Sequence, residues 1–129
     1  MNHRQLIDDF EGGAISADSF HHVDHVHLAF AYLCEYALVA ALERFTSSLK
    51  RFAVANGKPR LYNETITCAY FFLIRERMAR NKVTDWQEFA LVNPDLLTWK
   101  DGILSRYYRE ATLHSDLARN VFVFPDRFP

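Results

Sequence analysis

Glycine and proline are scarce, with four of each in 129 residues. That leaves no room for a flexible or proline-rich linker and excludes collagen-like and low-complexity chains. Only two cysteines are present, Cys34 and Cys68, and both lie inside apolar, helix-like stretches. Reduced, packed thiols are therefore expected rather than a disulfide framework. No apolar run reaches the roughly 18 residues that a membrane span needs, so no membrane partner is expected. Alternation of apolar and polar residues, the signature of strands, is missing before the last few positions, and no segment repeats. Several chemical signatures are missing too: a glycine-rich phosphate loop, Cys-x-x-Cys, His-Glu-x-x-His and Gly-x-Ser-x-Gly.

What is abundant is apolar and aromatic: half the residues are hydrophobic, and there are 11 Phe and 6 Tyr. With 24% charged residues and a net charge of −1, residues 1–129 read as a single soluble domain with one core. Asp8, Asp9 and Glu11 stand where a secretory signal would be apolar, so a cytoplasmic location is expected.

Charge is unevenly distributed. Residues 1–43 hold one Arg against seven acids, residues 44–82 hold nine Lys or Arg against two Glu, and the remainder carries −2. A basic middle can face nucleic acid, and Lys50-Arg51-Phe52 interleaves charge with an aromatic ring. The same spacing describes an amphipathic helix whose Phe points inward, and the acidic first third can neutralise the middle within the chain or across a homodimer. No nucleic-acid partner is expected; a homodimer is compatible with this pattern, as is a monomer.

The apolar periodicity is helical almost throughout and predicts an all-α fold: a bundle of three long helices plus several short helices and an extended C-terminal strap. A first helix over about 2–10 ends at Gly12-Gly13, and Asp18 and Ser19 offer capping side chains for the next. His22, Val26, Ala29, Phe30 and Leu33 form one face of the first long helix. In the second, Leu38, Leu42, Phe45, Leu49 and Phe52 alternate steps of four and three until Asn56-Gly57 stops it. The third runs from about Asn63 to Asn81 and is apolar nearly all round, which predicts a place in the middle of the bundle. Short helices follow near Trp86, Pro94, Gly102–Tyr108 and Ser115–Asn120, and Val121-Phe122-Val123-Phe124-Pro125 reads as a strap over the bundle.

Four of the six histidines fall in one stretch, His21-His22-Val23-Asp24-His25-Val26-His27. At about 100° per residue, His22 and His25 share the side of Val26, Ala29 and Leu33, whereas Asp24 and His27 point away; His21 and His27 read as surface residues. Imidazoles three apart on one helical face can share a metal or pass a proton. An inward histidine is equally a hydrogen-bonded core residue. The second cluster is Tyr62-Asn63-Glu64-Thr65-Ile66-Thr67 at the start of the apolar helix. Asn63 suits the N-cap, and Glu64 suits the helix dipole without any further role. If both helix starts meet at one end, however, Glu64 approaches His22 and His25. Two His and one carboxylate are a recurrent set for a divalent transition metal with open positions, and without a metal the same groups can serve as acid and base. Tyr62, Asn63 and Thr67 are the candidate substrate-binding groups beside them.

The stretch Phe20-His21-His22-Val23-Asp24-His25-Val26-His27-Leu28-Ala29, with Tyr62-Asn63-Glu64-Thr65-Ile66-Thr67, resembles a family of small, uncharacterised, all-helical bacterial proteins. The likeness continues through Asn93-Pro94-Asp95-Leu96-Leu97, Arg106-Tyr107-Tyr108, Ser115-Asp116-Leu117-Ala118-Arg119 and Pro125-Asp126. It implies a shared polar site at His22, His25 and Glu64 and supplies no reaction. The family's second motif usually reads Tyr-His-Glu-Thr-Ile-Thr, so Asn63 replaces a histidine. If the family site uses three histidines and a glutamate, this chain lacks one nitrogen ligand and would bind a metal more weakly or not at all.

Elsewhere, Cys34 lacks an evident base and reads as a packed thiol. His114 reads as a cap or surface group that could also fold back on the bundle. Arg106 and Arg119 could pair with buried acids or hold a substrate carboxylate. The leading functional expectation is a small-molecule enzyme with His22, His25 and Glu64 in its pocket, either divalent-metal-dependent or metal-free acid–base. Its alternative is a non-catalytic helical domain that binds a small ligand or a partner protein. Haem ligation by His22 or His25 ranks third.

Overall fold

A computed structural model describes residues 2–127. It is all-helical among those residues, with helices α1 His3–Glu11, α2 His22–Glu35, α3 Leu38–Ala55, α4 Glu64–Asn81, α5 Trp86–Val92, α6 Glu110–Leu113 and α7 Asp116–Asn120. Short 3₁₀ turns occupy Ala17–Ser19, Pro59–Leu61, Pro94–Leu96 and Ile103–Arg106. Three helices, α2, α3 and α4, are long, and none of the helices is long and apolar enough to cross a membrane.

Local chemistry accounts for several boundaries. Asn2, Asn63, Asp85 and Ser115 each accept a backbone N–H of the first turn that follows, satisfying donors that a helix start leaves open. Gly57, at φ +71°, takes the left-handed conformation that ends the chain's run through α3. Asp18 and Ser19 do not cap α2 as the sequence suggested. They lie in the Ala17–Ser19 turn, and it is Asp24 that accepts the backbone N–H of His21, at 2.9 Å.

α4 has neighbours on several sides, as its apolar surface predicts: it packs against α2, α3, α7 and the Ile103–Arg106 turn, and part of its surface reaches solvent, with Phe72 44% exposed. α2 shares the middle of the bundle, with Val26, Leu28, Ala29, Phe30, Ala31 and Tyr32 all buried where it packs against α1, α3 and α4. Packed aromatics join the helices, among them Phe45 on Phe71 and Phe30 on Phe89. A polar node ties α1, α2 and α3: Tyr32 donates to Glu11 at 2.6 Å and lies 3.0 Å from Ser48, while Arg44 meets Glu11 at 3.4 Å. Acidic and basic blocks therefore touch within the chain. Five of the nine cations of residues 44–82 lie within 4.0 Å of a carboxylate.

Residues 121–127, after α7, form no helix and are pinned at their backbone. Buried Thr65 donates to the Val121 carbonyl and accepts from the Val123 N–H, Tyr108 donates to the Val123 carbonyl, and Asp126 accepts the Arg109 N–H. This strap holds its main chain on the start of α4 while Phe124 remains 80% exposed.

Candidate functional site

A cavity of about 550 Å³ opens between α2, α3 and α4, a volume in the range of small-molecule sites. Its floor is apolar core: Val26 and Ala29 of α2, Phe45 of α3, and Phe71 and Ile74 of α4. The Pro59–Leu61 turn, Trp99 and the α6–α7 region complete the wall, and the exposed side chains of Lys58, Arg60 and His114 mark its mouth.

His22 and His25 both line this cavity. One ring nitrogen of His22, Nε2, sits 2.9 Å from the Leu96 carbonyl. A carbonyl only accepts, so Nε2 carries the hydrogen and, in the neutral ring, Nδ1 is left as an acceptor. The ring is wedged between Tyr70, at 4.8 Å, and Trp99, at 5.2 Å. Burial lowers its pKa, opposed by the Leu96 bond. His25 lies against Phe20, with ring centroids 4.2 Å apart, and Phe20 in turn packs on Phe10 and Phe52. Burial, and next the neighbouring His22, lowers the His25 pKa from 6.5 to about 4. No protein group hydrogen-bonds its ring nitrogens among the described residues, yet no buried side-chain N or O there lacks a partner. The ring nitrogens of His25 therefore keep accessible surface instead of being sealed in packed core. Both imidazoles are neutral at pH 7 and can give or accept a hydrogen bond.

Tyr62, Asn63 and Thr67 are on the same wall. Asn63 is occupied at both ends of its amide, accepting from Ile66 N–H and donating to the Leu113 carbonyl at 2.7 Å. Tyr62 donates its hydroxyl to Glu64; burial, and next this bond, pushes its pKa up.

Glu64 is where the sequence-based set and the structure part. It does not line the cavity. Its carboxylate accepts from Tyr62 and lies 4.0 Å from Lys50 of α3. The first residue of α4 points its side chain across to the flank of α3, and the Tyr62 ring stands on the cavity side. The expected metal set His22, His25 and Glu64 is thus not assembled, and no three His, Cys, Asp or Glu side chains converge in a metal-holding arrangement among the described residues. The acid–base trio loses Glu64 for the same reason; the two histidines remain together.

Two other expectations change. His27 is not a plain surface residue: its ring stacks on Trp86 at 4.3 Å and 6°, and burial lowers its pKa. His114 is the exposed C-cap of α6, as expected, and it also stands at the cavity mouth; Arg119 lies there too and bonds the exposed Asp116 instead of a buried acid. Cys34 and Cys68 are free thiols pushed up to about 11, chiefly by burial, which suits packing and not nucleophilic attack at pH 7. Trp99, Lys58 and Arg60 carry no periodic or motif signal, and only their neighbours in space reveal them as lining residues. Phe20 sits next to the histidine stretch, and that adjacency was the available clue.

No protein-family model, no curated protein and no solved structure matches the chain.

Proposed function

We propose that the chain is a metal-free, cytoplasmic small-molecule enzyme that moves a proton on a mostly apolar substrate, with His25 as the proton carrier and His22 as the orienting hydrogen-bonding group. The observation that carries this reading is the pair of neutral imidazoles lining one mostly apolar cavity, one fixed by Leu96 and the other with accessible ring nitrogens and no protein hydrogen-bond partner among the described residues. Aromatic and aliphatic walls would take the substrate body and exclude water, and Tyr70 and Trp99 would fix its orientation beside His22. In the step itself a carbon- or oxygen-bound proton passes to a nitrogen of His25 and returns from it to the substrate or to solvent. The acid–base form is preferred to the metal-dependent one because Glu64 is engaged by Tyr62 and Lys50. On this reading, the likeness to the bacterial family reflects a shared polar site at His22 and His25.

A non-catalytic binding role is the second reading, favoured by one observation: with a pKa of about 4, His25 is a weak base. Incubating the protein with phenylacetone in D₂O separates the two. Deuterium appearing at the benzylic carbon with wild type and not with His25→Ala supports proton transfer. Saturable binding without exchange leaves binding alone, and neither binding nor exchange overturns both readings for this probe class.

A further inference from the structure

The charges around the cavity are all of one sign. Three cations, Lys58, Arg60 and Arg119, line it, and no Asp or Glu does. Lys58 and Arg60 are exposed, which puts them at the opening, whereas the floor is formed by fully packed Val26, Ala29, Phe71 and Ile74. Asp116 bonds both Arg60, at 3.2 Å, and Arg119, and it stays outside the lining, as does Glu64, which Lys50 meets instead. Asp116 offsets one of three positive charges and leaves the mouth net positive. No ion-pair partner meets Lys58 among the described residues. An apolar chamber closed by a cationic mouth matches a molecule that is apolar at one end and anionic at the other.

Resting on the cavity assignment above, we propose that the ligand is a carboxylate carried on an aromatic or branched apolar body. The body fills the chamber beside His22 and His25, and the carboxylate lies at the mouth against Lys58, Arg60 and Arg119. Arg is suited to such a group because its planar fork can bond both carboxylate oxygens, and Lys58 adds a point charge. Asp116 competes with the ligand for the same guanidinium groups, so it sets the affinity that the incoming carboxylate must exceed.

The experiment is a calorimetric titration of the intact chain with three matched probes: 2-naphthylacetate, 2-naphthylacetamide and 2-naphthylethylamine. They share a body and differ in charge. The expected result is that the carboxylate binds about tenfold tighter than the amide at low salt, with the amine weakest. The carboxylate-to-amide ratio should fall towards one in the Lys58→Gln/Arg60→Gln variant, and in wild type at high salt, where exposed charges are screened. Because both substituted side chains are exposed, circular dichroism of that variant should match wild type, and the salt series on unmodified protein gives a readout that needs no variant. Equal binding of carboxylate and amide, or tighter binding of the amine, overturns the anion assignment and leaves the cavity reading intact. Failure of all three probes to bind overturns the cavity reading itself, and this one with it.

Discussion

The ring of His22 and the main-chain carbonyl of Leu96 are 74 residues apart in sequence and 2.9 Å apart in space. This bond joins the first turn of α2 to the turn that precedes Trp99, so one contact fixes both an inward imidazole and the aromatic wall beside it. It also fixes which nitrogen of His22 carries the hydrogen. A hydrogen bond from a partly buried donor to a backbone acceptor contributes to stability and to site geometry together.

Replacing His22 by Ala removes the donor and leaves the Leu96 carbonyl to find water. A loss of about 1–3 kcal/mol is expected in urea denaturation, with altered Trp99 fluorescence. Unchanged stability together with unchanged emission would contradict the anchoring role.

Acid should weaken the fold through His25. Its folded pKa of about 4 lies below its ordinary value of 6.5, so between those values the unfolded chain binds the extra proton. This contribution is fully present above about pH 6.5 and is lost as the pH falls towards 4, amounting at most to roughly 3 kcal/mol. His22 and His27 are shifted in the same direction and add to the same slope. Urea midpoints at several pH values should show a shallower decline in this window for His25→Gln than for wild type; parallel declines would remove His25 as a source.

Gly102 has an ordinary negative φ of −68°, so its need for glycine is spatial. A Cβ there would lie 2.7 Å from the Thr98 carbonyl oxygen and 2.9 Å from the Tyr70 hydroxyl. Backbone on one side and a packed tyrosine on the other leave little to yield. Gly102→Ala is expected to cost about 1–3 kcal/mol and to displace the Trp99 segment, read by thermal midpoint and tryptophan emission. A variant as stable as wild type would mean that the 98–102 turn relaxes freely.

Thr65 is fully buried and bonds the strap twice, to the Val121 carbonyl and from the Val123 N–H. Thr65→Val keeps the shape and removes both bonds, so a loss of about 2–3 kcal/mol is expected. Faster amide exchange at Val123 would locate the effect in the strap; protection equal to wild type would show that Tyr108 and Asp126 alone hold it.

The helices and their ends are written locally. Apolar spacing sets the extents of α2, α3 and α4, and Asn2, Asn63, Asp85, Gly57 and Ser115 mark boundaries through capping chemistry and backbone freedom that need only neighbours in sequence. The inward pairing of His22 with His25 was legible for the same reason: three residues of helix decide it. That α4 would have neighbours on several sides was legible in its apolar surface; that α2 shares the middle was not, because which helices pack together is decided by contacts distant in sequence. Nor was the direction of Glu64. Helical phase put it at a helix start, but only the packing of α3 beside α4 brought Lys50 within 4.0 Å and turned the carboxylate to Tyr62. The mouth of the cavity depended wholly on tertiary structure, since Lys58, Arg60, Trp99, His114 and Arg119 come from separate segments. The sequence by itself determined the helices, because their hydrogen bonds and caps close within a few residues. Only the tertiary structure decided the site, because a cavity is made of side chains distant in sequence whose shared surface exists once the helices have packed.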